Sequence, residues 1–206
     1  MAALVERVND AARLVPRGAV YALGLLPAVW IAFALFTGRL GVDPVLEAEH
    51  RLGLTALQFL IATLAVTPLM RLTGIKLIRL RRPLGLLAFT YVVLHFLVWL
   101  VLDMQLFWAQ IAEDLVKRWY IILGMAGLLA MLPLAWTSRD AALRRMGGAA
   151  WRRLHRLTYL AAAAAALHYL MLAKTLTLEP LLYAGAVFGL LAVRAIPRRP
   201  RNPARA

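Results

Sequence analysis

Long apolar runs separated by short polar segments dominate this chain. Six such runs lie near residues 19–37, 52–70, 84–102, 119–137, 157–173 and 180–196. Each is close to the roughly 20 apolar residues that a helix needs to cross a bilayer, and none alternates as a barrel strand does. Because a segment in lipid must satisfy its own backbone hydrogen bonds, the pattern predicts an all-α fold, a six-helix transmembrane bundle.

The spacing between the runs leaves no room for a second folded unit. The connections are short, and 63% of the 206 residues are hydrophobic, against about half in a soluble domain. The segment before the first run carries three arginines and two acids and has no small-residue cleavage site, so the first run is expected to be a retained span rather than a signal peptide. We therefore expect one domain over residues 1–206, with a basic tail over about 197–206.

Basic residues are distributed unevenly between the two sets of connections. Nineteen lysines and arginines fall before the first run, in the second and fourth loops, and at the end of the chain: Arg7, Arg13, Arg17, Arg71, Lys76, Arg79, Arg81, Arg82, Arg139, Arg144, Arg145, Arg152, Arg153, Arg156, Arg194, Arg198, Arg199, Arg201 and Arg205. The opposite side has Arg39, Arg51, Lys117, Arg118 and Lys174, together with seven of the ten acids. By the positive-inside rule, both termini are expected to be cytoplasmic.

Composition narrows the candidate chemistry. The chain has no cysteine, which excludes disulfides, thiolate metal sites, iron–sulfur clusters and covalently attached c-type haem. The net charge of +14 sits between the apolar runs and at the C-terminal tail, where membrane topology explains it better than a nucleic-acid surface does. Dinucleotide-binding, phosphate-loop and zinc-protease motifs do not occur in the sequence. A metal cofactor must therefore use histidine, methionine or oxygen ligands.

Two of the four histidines lie deep in apolar runs, on different predicted helices. His95 is about 11 residues from the cytoplasmic start of the third run, a depth of ~16 Å, and His168 is about 12 residues from that of the fifth. An ionisable residue in the membrane interior is functional by default. Two imidazoles at one depth can bind one haem iron from opposite faces. The alternative is a neutral histidine hydrogen-bonded to a neighbouring helix.

The other two histidines lie nearer the membrane surfaces. His155 is placed at the cytoplasmic end of the fifth helix, about 20 Å from His168, a separation suited to a second redox centre, although the two side chains would point about 140° apart. It has no evident histidine partner, so a ligand role and a place in the basic rim both stay open. His50 is placed in the first outer loop, where a structural or partner-contact role is favoured.

Six consecutive alanines, Ala161 to Ala166, lie between the levels of His155 and His168. Such short side chains would let the face of a porphyrin approach the helix. Gly85, Gly124 and Gly127 would serve the same purpose on neighbouring helices. Close helix packing through small residues explains the alanine run equally well.

Three stretches together resemble a known family: "GVDPVLEAEHRLGLTALQFLIATLAVTPL", "RLRRPLGLLAFTYVVLHFLVWLVLD" and "WRRLHRLTYLAAAAAALHYLMLAK". They are similar to the haem-binding membrane subunits of bacterial protein-methionine-sulfoxide reductase systems, the MsrQ or YedZ family, which has a ferric-reductase-like transmembrane domain. The resemblance covers nearly the whole chain. It implies that His95, His168 and His155 are haem-iron ligands, and His50 matches a family histidine without an assigned ligand role.

The resemblance also implies cofactors and partners. The expected cofactors are one or two b-type haems and flavin mononucleotide (FMN), whose phosphate would suit Arg79, Arg81 or Arg82 if these arginines do more than set the topology. Electrons would pass from quinol or a cytoplasmic flavin reductase, across the bacterial inner membrane, to a periplasmic molybdopterin-containing methionine sulfoxide reductase that repairs oxidised proteins. The chain itself is expected to lack a substrate-converting site and a nucleic-acid partner. The alternatives are another membrane cytochrome b, acting as a quinol-oxidising anchor or metal-ion reductase, and a small transporter.

Overall fold

The computed structural model describes residues 2–173 and 177–196, and these ranges are helical without a strand. Within them the chain forms nine α-helices: α1 (Ala2–Leu14), α2 (Arg17–Phe36), α3 (Pro44–Thr73), α4 (Arg81–Leu97), α5 (Trp108–Lys117), α6 (Trp119–Trp136), α7 (Asp140–Leu154), α8 (Leu157–Leu172) and α9 (Leu178–Ala195). A 3₁₀ turn, Ile78–Leu80, precedes α4, and a π-helical segment, Val98–Asp103, follows it. Lys174 and the tail residues Arg198, Arg199, Arg201 and Arg205 lie outside the described residues.

Five of the six predicted spans coincide with helices long and apolar enough to cross a membrane. These are α2, α3, the continuous helical run Ile78–Asp103, α6 and α9. The all-α prediction is confirmed. The remaining span corresponds to α8, which is apolar but has 16 residues, so it is ~24 Å long against a hydrocarbon core of ~30 Å. The count of six spans and the cytoplasmic placement of both termini stay predictions.

Helix α3 begins earlier than the hydropathy pattern indicated, at Pro44 rather than near residue 52. Asp43 is its N-cap, and the Asp43 carboxylate accepts a hydrogen bond of 3.1 Å from the backbone N–H of Leu46. Proline at the first helical position loses no intrahelical hydrogen bond. At its other end, Gly74 adopts a left-handed conformation with φ of 79° and donates its N–H to the Met70 carbonyl.

Two helix pairs form the centre of the bundle. Helix α3 packs along α4, helix α6 packs along α8, and α4 also contacts α6. Leu57, Leu60 and Leu64 of α3 are buried in one cluster with Ala162 and Ala166 of α8. The two pairs therefore share a single core, and their facing surfaces enclose the candidate site.

A buried tyrosine connects α4 to α2 where α2 contains a proline. Tyr91 is fully buried. Its hydroxyl donates to the Gly24 carbonyl at 2.7 Å and accepts from the Ala28 N–H at 2.9 Å. A regular helix joins those two backbone groups, four residues apart, to each other. The Tyr91 hydroxyl thus bonds to both sides of the α2 turn that carries Pro27.

An arginine from α9 compensates for a second helix-internal proline. Pro68 lies within α3 and has no N–H, so it cannot donate to the carbonyl of Leu64 four residues earlier. Arg194 donates to that carbonyl from Nε at 3.0 Å and from Nη2 at 2.6 Å. The guanidinium therefore replaces the backbone donor that proline lacks and ties the end of α9 to α3.

Contacts among the basic segments gather them at one end of the bundle. Arg82 pairs with Asp140 of α7 at 2.6 Å, and Arg79 donates to the Arg13 carbonyl of α1. The loop after α3 is held to α1 as well, because the Lys76 N–H donates to the Asn9 side chain at 2.6 Å. The predicted cytoplasmic segments thus meet on one face.

Candidate functional site

His95 of α4 and His168 of α8 lie next to each other inside the bundle. Their ring centroids are 6.2 Å apart, and the ring planes are inclined by 76°. Both side chains line the same cavity between the two central helix pairs. Helix α4 brings one ring from the α3 side and helix α8 brings the other from the α6 side.

Each ring is oriented by a backbone carbonyl of the neighbouring helix. Nδ1 of His95 lies 2.9 Å from the Glu49 carbonyl oxygen, and Nδ1 of His168 lies 2.6 Å from the Tyr120 carbonyl oxygen. A carbonyl oxygen can only accept, so Nδ1 carries the proton in both rings. The lone pair is then on Nε2 in each case. Second-shell bonding of this kind fixes the tautomer and orientation of metal-binding histidines.

A glycine opposite each ring makes these approaches possible. A Cβ atom at Gly53 would lie 3.1 Å from His95 Nδ1, and one at Gly124 would lie 3.0 Å from His168 Nδ1. Both distances are shorter than the ~3.5–4.0 Å of ordinary van der Waals contact. Gly53 is four residues after Glu49, and Gly124 is four residues after Tyr120. The two histidines thus use the same arrangement of carbonyl and glycine on two different helices.

The separation of the rings suits a shared metal ion. Two imidazoles that bind one metal through facing nitrogens, with metal–nitrogen bonds of about 2.0 Å, have centroids about 6.3 Å apart. The observed separation of the ring centroids, 6.2 Å, is close to that value. A pair of neutral imidazoles with free Nε2 lone pairs is also the donor set of a six-coordinate haem iron. The residues present therefore fit a haem between α4 and α8.

The cavity around the histidines is apolar inside and polar at one end. Leu57, Leu60, Leu128 and Met131 form part of its apolar wall. Its polar end has Glu49, His50, Asp103, Arg118 and Tyr120. These polar residues belong to the segments that the charge pattern placed on the outer side.

The alanine run contributes both to the cavity wall and to the helix packing of the core. Ala161 and Ala165 line the cavity, where their short side chains leave room beside the histidines. Ala162 and Ala166 are fully buried in the core cluster with Leu64 and Val187. Gly127 of α6 faces the same stretch, since a Cβ there would lie 3.8 Å from Ala164 Cβ. One helix face thus borders the cavity while another packs against α3 and α9.

The π-helical segment after His95 shapes the polar end of the cavity. Met104 N–H donates to the Trp99 carbonyl five residues earlier at 2.8 Å. Gln105 and Leu106 then turn the chain with positive φ angles of 48° and 60°. Within this segment, Trp99 and Asp103 line the cavity. Such bulges frequently mark functional sites, and the hydropathy pattern did not reveal this one.

His155 lies away from this pair, at the basic end. It follows α7 directly, two residues before α8 begins, which agrees with its predicted place at the end of the fifth apolar run. Its ring stacks on Trp151 with centroids 3.7 Å apart, and its Nε2 lies 3.1 Å from Thr137 Oγ1. Desolvation by burial and the nearby Arg81 and Arg82 lower the pKa of His155 to about 4. The imidazole is therefore neutral at pH 7, as a metal ligand must be.

His50 lies in α3, so its sequence-based placement in a loop is wrong. The proline and aspartate that begin the helix at Pro44 extend α3 through this position. The His50 ring is 5.9 Å from the Tyr169 ring and lines the polar end of the cavity. A structural or partner-contact role for it stays a prediction.

A further polar group at this end was not singled out from the sequence. Arg118 pairs through Nε with Asp114 at 3.0 Å and donates from Nη1 to the Tyr120 hydroxyl at 3.1 Å. Asp114 is buried, with 6% of its surface exposed. An acid and an arginine four residues apart on a helix would have been the only signal in the sequence.

Comparison with known proteins agrees with this geometry. The sequence model of the family described as "Ferric reductase like transmembrane component" matches residues 51–166. The chain is 46% identical over 183 residues to the protein-methionine-sulfoxide reductase heme-binding subunit MsrQ of Brucella anthropi, covering 89% of this chain and 83% of that protein. It is 49% identical over 181 residues to the MsrQ subunit of Rhizobium meliloti, covering 88% and 83% respectively. The chain therefore belongs to the ferric-reductase-like transmembrane family and, within it, to the MsrQ family.

Proposed function

We propose that this chain is a membrane haem b subunit that transfers electrons to a methionine sulfoxide reductase. The observation that carries the proposal is the pair His95 and His168, with ring centroids 6.2 Å apart and both Nδ1 atoms bonded to backbone carbonyls. The names of the relatives describe heme-binding subunits of protein-methionine-sulfoxide reductase systems.

The residues favour electron transfer over catalysis at the metal. Haem iron supplies the one-electron Fe(III)/Fe(II) couple. His95 and His168 would hold the haem iron through their Nε2 atoms, and a pair of histidine ligands would suit electron transfer. The cavity wall around the histidines is largely apolar, and the two carbonyl bonds orient the imidazoles. Imidazoles oriented in this way would need little rearrangement when an electron is transferred.

The proposed electron path runs from the basic end of the bundle to the polar end of the cavity. The donor would be quinol or a cytoplasmic flavin reductase, and the acceptor a periplasmic molybdopterin-containing reductase at the bacterial inner membrane. His155 lies at the basic end and is neutral, so it is the proposed ligand of a second haem. That role requires release of Nε2 from Thr137 or ligation through Nδ1. FMN is the further proposed cofactor, with Arg79, Arg81 and Arg82 as the candidate phosphate contacts.

The test is the optical spectrum and cofactor content of the purified protein. A bis-histidine, low-spin b-type spectrum is expected, and His95→Ala or His168→Ala should each abolish the haem between α4 and α8. His50→Ala is the matched control, because His50 lines the same cavity and should leave that spectrum unchanged. His155→Ala should reduce haem content from two to one per chain if a second haem is present. Full, unshifted spectra in both His95→Ala and His168→Ala would contradict the ligand assignment.

A metal-ion reductase is the second candidate, favoured by the family match to ferric reductases. The two functions differ in the electron acceptor. Reduced protein in liposomes should be oxidised rapidly by a co-purified periplasmic reductase with methionine sulfoxide and slowly by ferric chelates. The reverse order would favour the metal-ion reductase, and a haem-free protein that moved a solute would favour a transporter.

A further inference from the structure

The polar end of the cavity has an uneven charge distribution. Arg118 is the only lysine or arginine among the described residues that line the cavity, and Glu49 and Asp103 line it as well. A ligand that carries carboxylates would be repelled by these two acids when they are ionised. It would be attracted at one place, the Arg118 guanidinium.

The Arg118 guanidinium is held in place from two sides. Nε forms an ion pair with the buried Asp114 carboxylate, and Nη1 donates to the Tyr120 hydroxyl. A guanidinium has five N–H donors in a fixed plane, and among the described residues neither N–H of Nη2 has a hydrogen-bond partner. Fixing the plane in advance reduces the entropy lost when those donors bind a planar carboxylate. Lysine in this position would provide the charge without the geometry.

The same stretch of chain positions the cofactor and this arginine. Tyr120 accepts from His168 through its carbonyl and from Arg118 through its hydroxyl. Arg118 is the N-cap residue of α6, the helix that carries Gly124 against the His168 ring. A porphyrin bound between the histidines would extend from the apolar interior toward this polar end. Its two propionates are the groups that seek a polar environment.

We propose that Arg118, held by Asp114 and Tyr120, binds a propionate of the haem and sets its orientation in the cavity. The inference rests on the proposed haem-binding function. A propionate at Arg118 directs the carboxylate edge toward the outer side and leaves the vinyl edge in the apolar interior. The cation also offsets the negative charge near the iron and so favours the reduced state.

The test combines a protein change with a cofactor change. Apoprotein and its Arg118→Gln variant are each reconstituted with haem b and with the dimethyl ester of haem b, in which both propionates lack their charge. Arg118→Gln should release haem b to a haem scavenger about 10- to 100-fold faster, as expected for the loss of a charge-assisted hydrogen bond. The dimethyl ester should leave the Arg118→Gln variant at nearly the same rate as it leaves the unmodified protein. The midpoint potential with haem b should fall in Arg118→Gln.

Arg51→Gln is the matched control. Arg51 is exposed on α3, pairs with Glu47 at 2.6 Å, and is absent from the residues that line the cavity. Its variant should release haem b within about twofold of the unmodified rate, since exposed pairs contribute little. Tyr120→Phe removes only the hydroxyl that orients Arg118 and leaves the carbonyl that accepts from His168. It should accelerate haem b release in the same direction by a smaller factor, which keeps the proposal testable if Arg118→Gln fails to fold.

The outcomes separate this inference from the proposed function. A bis-histidine spectrum in the unmodified protein, combined with equal acceleration of haem b and dimethyl-ester release in Arg118→Gln, would overturn the propionate contact alone. Unchanged release of both cofactors would overturn it too. Failure of the unmodified protein to bind haem would overturn the proposed function and this inference with it.

Discussion

Replacing Gly124 by alanine tests how the His168 ring is held. The added Cβ would lie 3.0 Å from Nδ1 and 3.1 Å from Cε1 of His168, about half an ångström inside normal contact distance. The ring must retreat, which lengthens the 2.6 Å bond from Nδ1 to the Tyr120 carbonyl. Without haem the ring can turn away, so the strain arises when the cofactor binds.

The expected loss of haem-binding free energy has two parts, steric overpacking and a weakened hydrogen bond. Overpacking by one methyl group costs about 1–3 kcal/mol, and a weakened neutral hydrogen bond adds up to about 1 kcal/mol. A total near 1–4 kcal/mol corresponds to a haem affinity lowered about 5- to 1,000-fold. A weaker bond at Nδ1 also makes the imidazole less basic and disfavours Fe(III). The midpoint potential should therefore rise by tens of millivolts, since about 59 mV is a tenfold change for one electron.

The assay is haem titration into apoprotein, followed by a redox titration of the complex. Gly53→Ala should act in the same direction and slightly less strongly, because its Cβ would lie 3.1 Å from His95 Nδ1. Gly185→Ala on α9 is the control, since no heavy atom of the described part of the chain lies within 4 Å of a Cβ there. Affinity and potential for Gly53→Ala and Gly124→Ala that match those of Gly185→Ala would refute the proposed close packing.

Further predictions concern the two prolines and the basic end. Arg194→Met should lower the free energy of unfolding by about 1–3 kcal/mol, because the Leu64 carbonyl loses its donor. Pro68→Ala restores a backbone N–H and should reduce that loss. Thermal unfolding in detergent of the two single variants and the double variant measures the coupling between these positions, and its absence would contradict this explanation. Tyr91→Phe should destabilise by about 1–3 kcal/mol, as the buried hydroxyl bonds to two backbone groups of α2, and a change within the error of the same assay would contradict this. The haem-free protein should lose stability as pH falls from about 6.5 to 4, because His155 takes up a proton in the unfolded state before the folded state. His155→Gln should lose less over that range, and an identical pH profile in the two proteins would exclude His155 as the cause.

Hydropathy was sufficient to locate the long apolar helices from the sequence, but it was insufficient to locate the amphipathic ones. Helices α1, α5 and α7 were not predicted, because each mixes apolar with charged residues. Helix α1 lies before the first long run, and α5 and α7 lie between runs. Their burial depends on packing against the membrane surface or the bundle, which a window of average hydropathy does not detect. The early start of α3 was visible in principle, since Asp43 followed by Pro44 is a strong N-terminal signal.

The sequence was sufficient to predict that His95 and His168 lie at the same depth in the bundle. Counting turns from the span ends brought His95 and His168 to one level, and their rings do lie side by side. Which helices lie next to each ring depends on tertiary packing. Gly53 was therefore overlooked, and Gly124 was assigned to the porphyrin face rather than to the His168 ring. Arg118 was overlooked although its partners Asp114 and Tyr120 are close in sequence, because its place at the cavity follows only from the packing of the helices.

The repeated four-residue spacing has a single steric cause. In a helix the side chain of a residue leans toward the N-terminus and covers the turn before it. The side chain at position i+4 therefore lies over the carbonyl of residue i, which is the group a ring on another helix must reach. Glycine at i+4 uncovers that carbonyl, as Gly53 does for Glu49 and Gly124 does for Tyr120. In both helices, the glycine at i+4 makes a backbone carbonyl accessible to the histidine of another helix, and the carbonyl in turn fixes the proton on Nδ1 of that histidine.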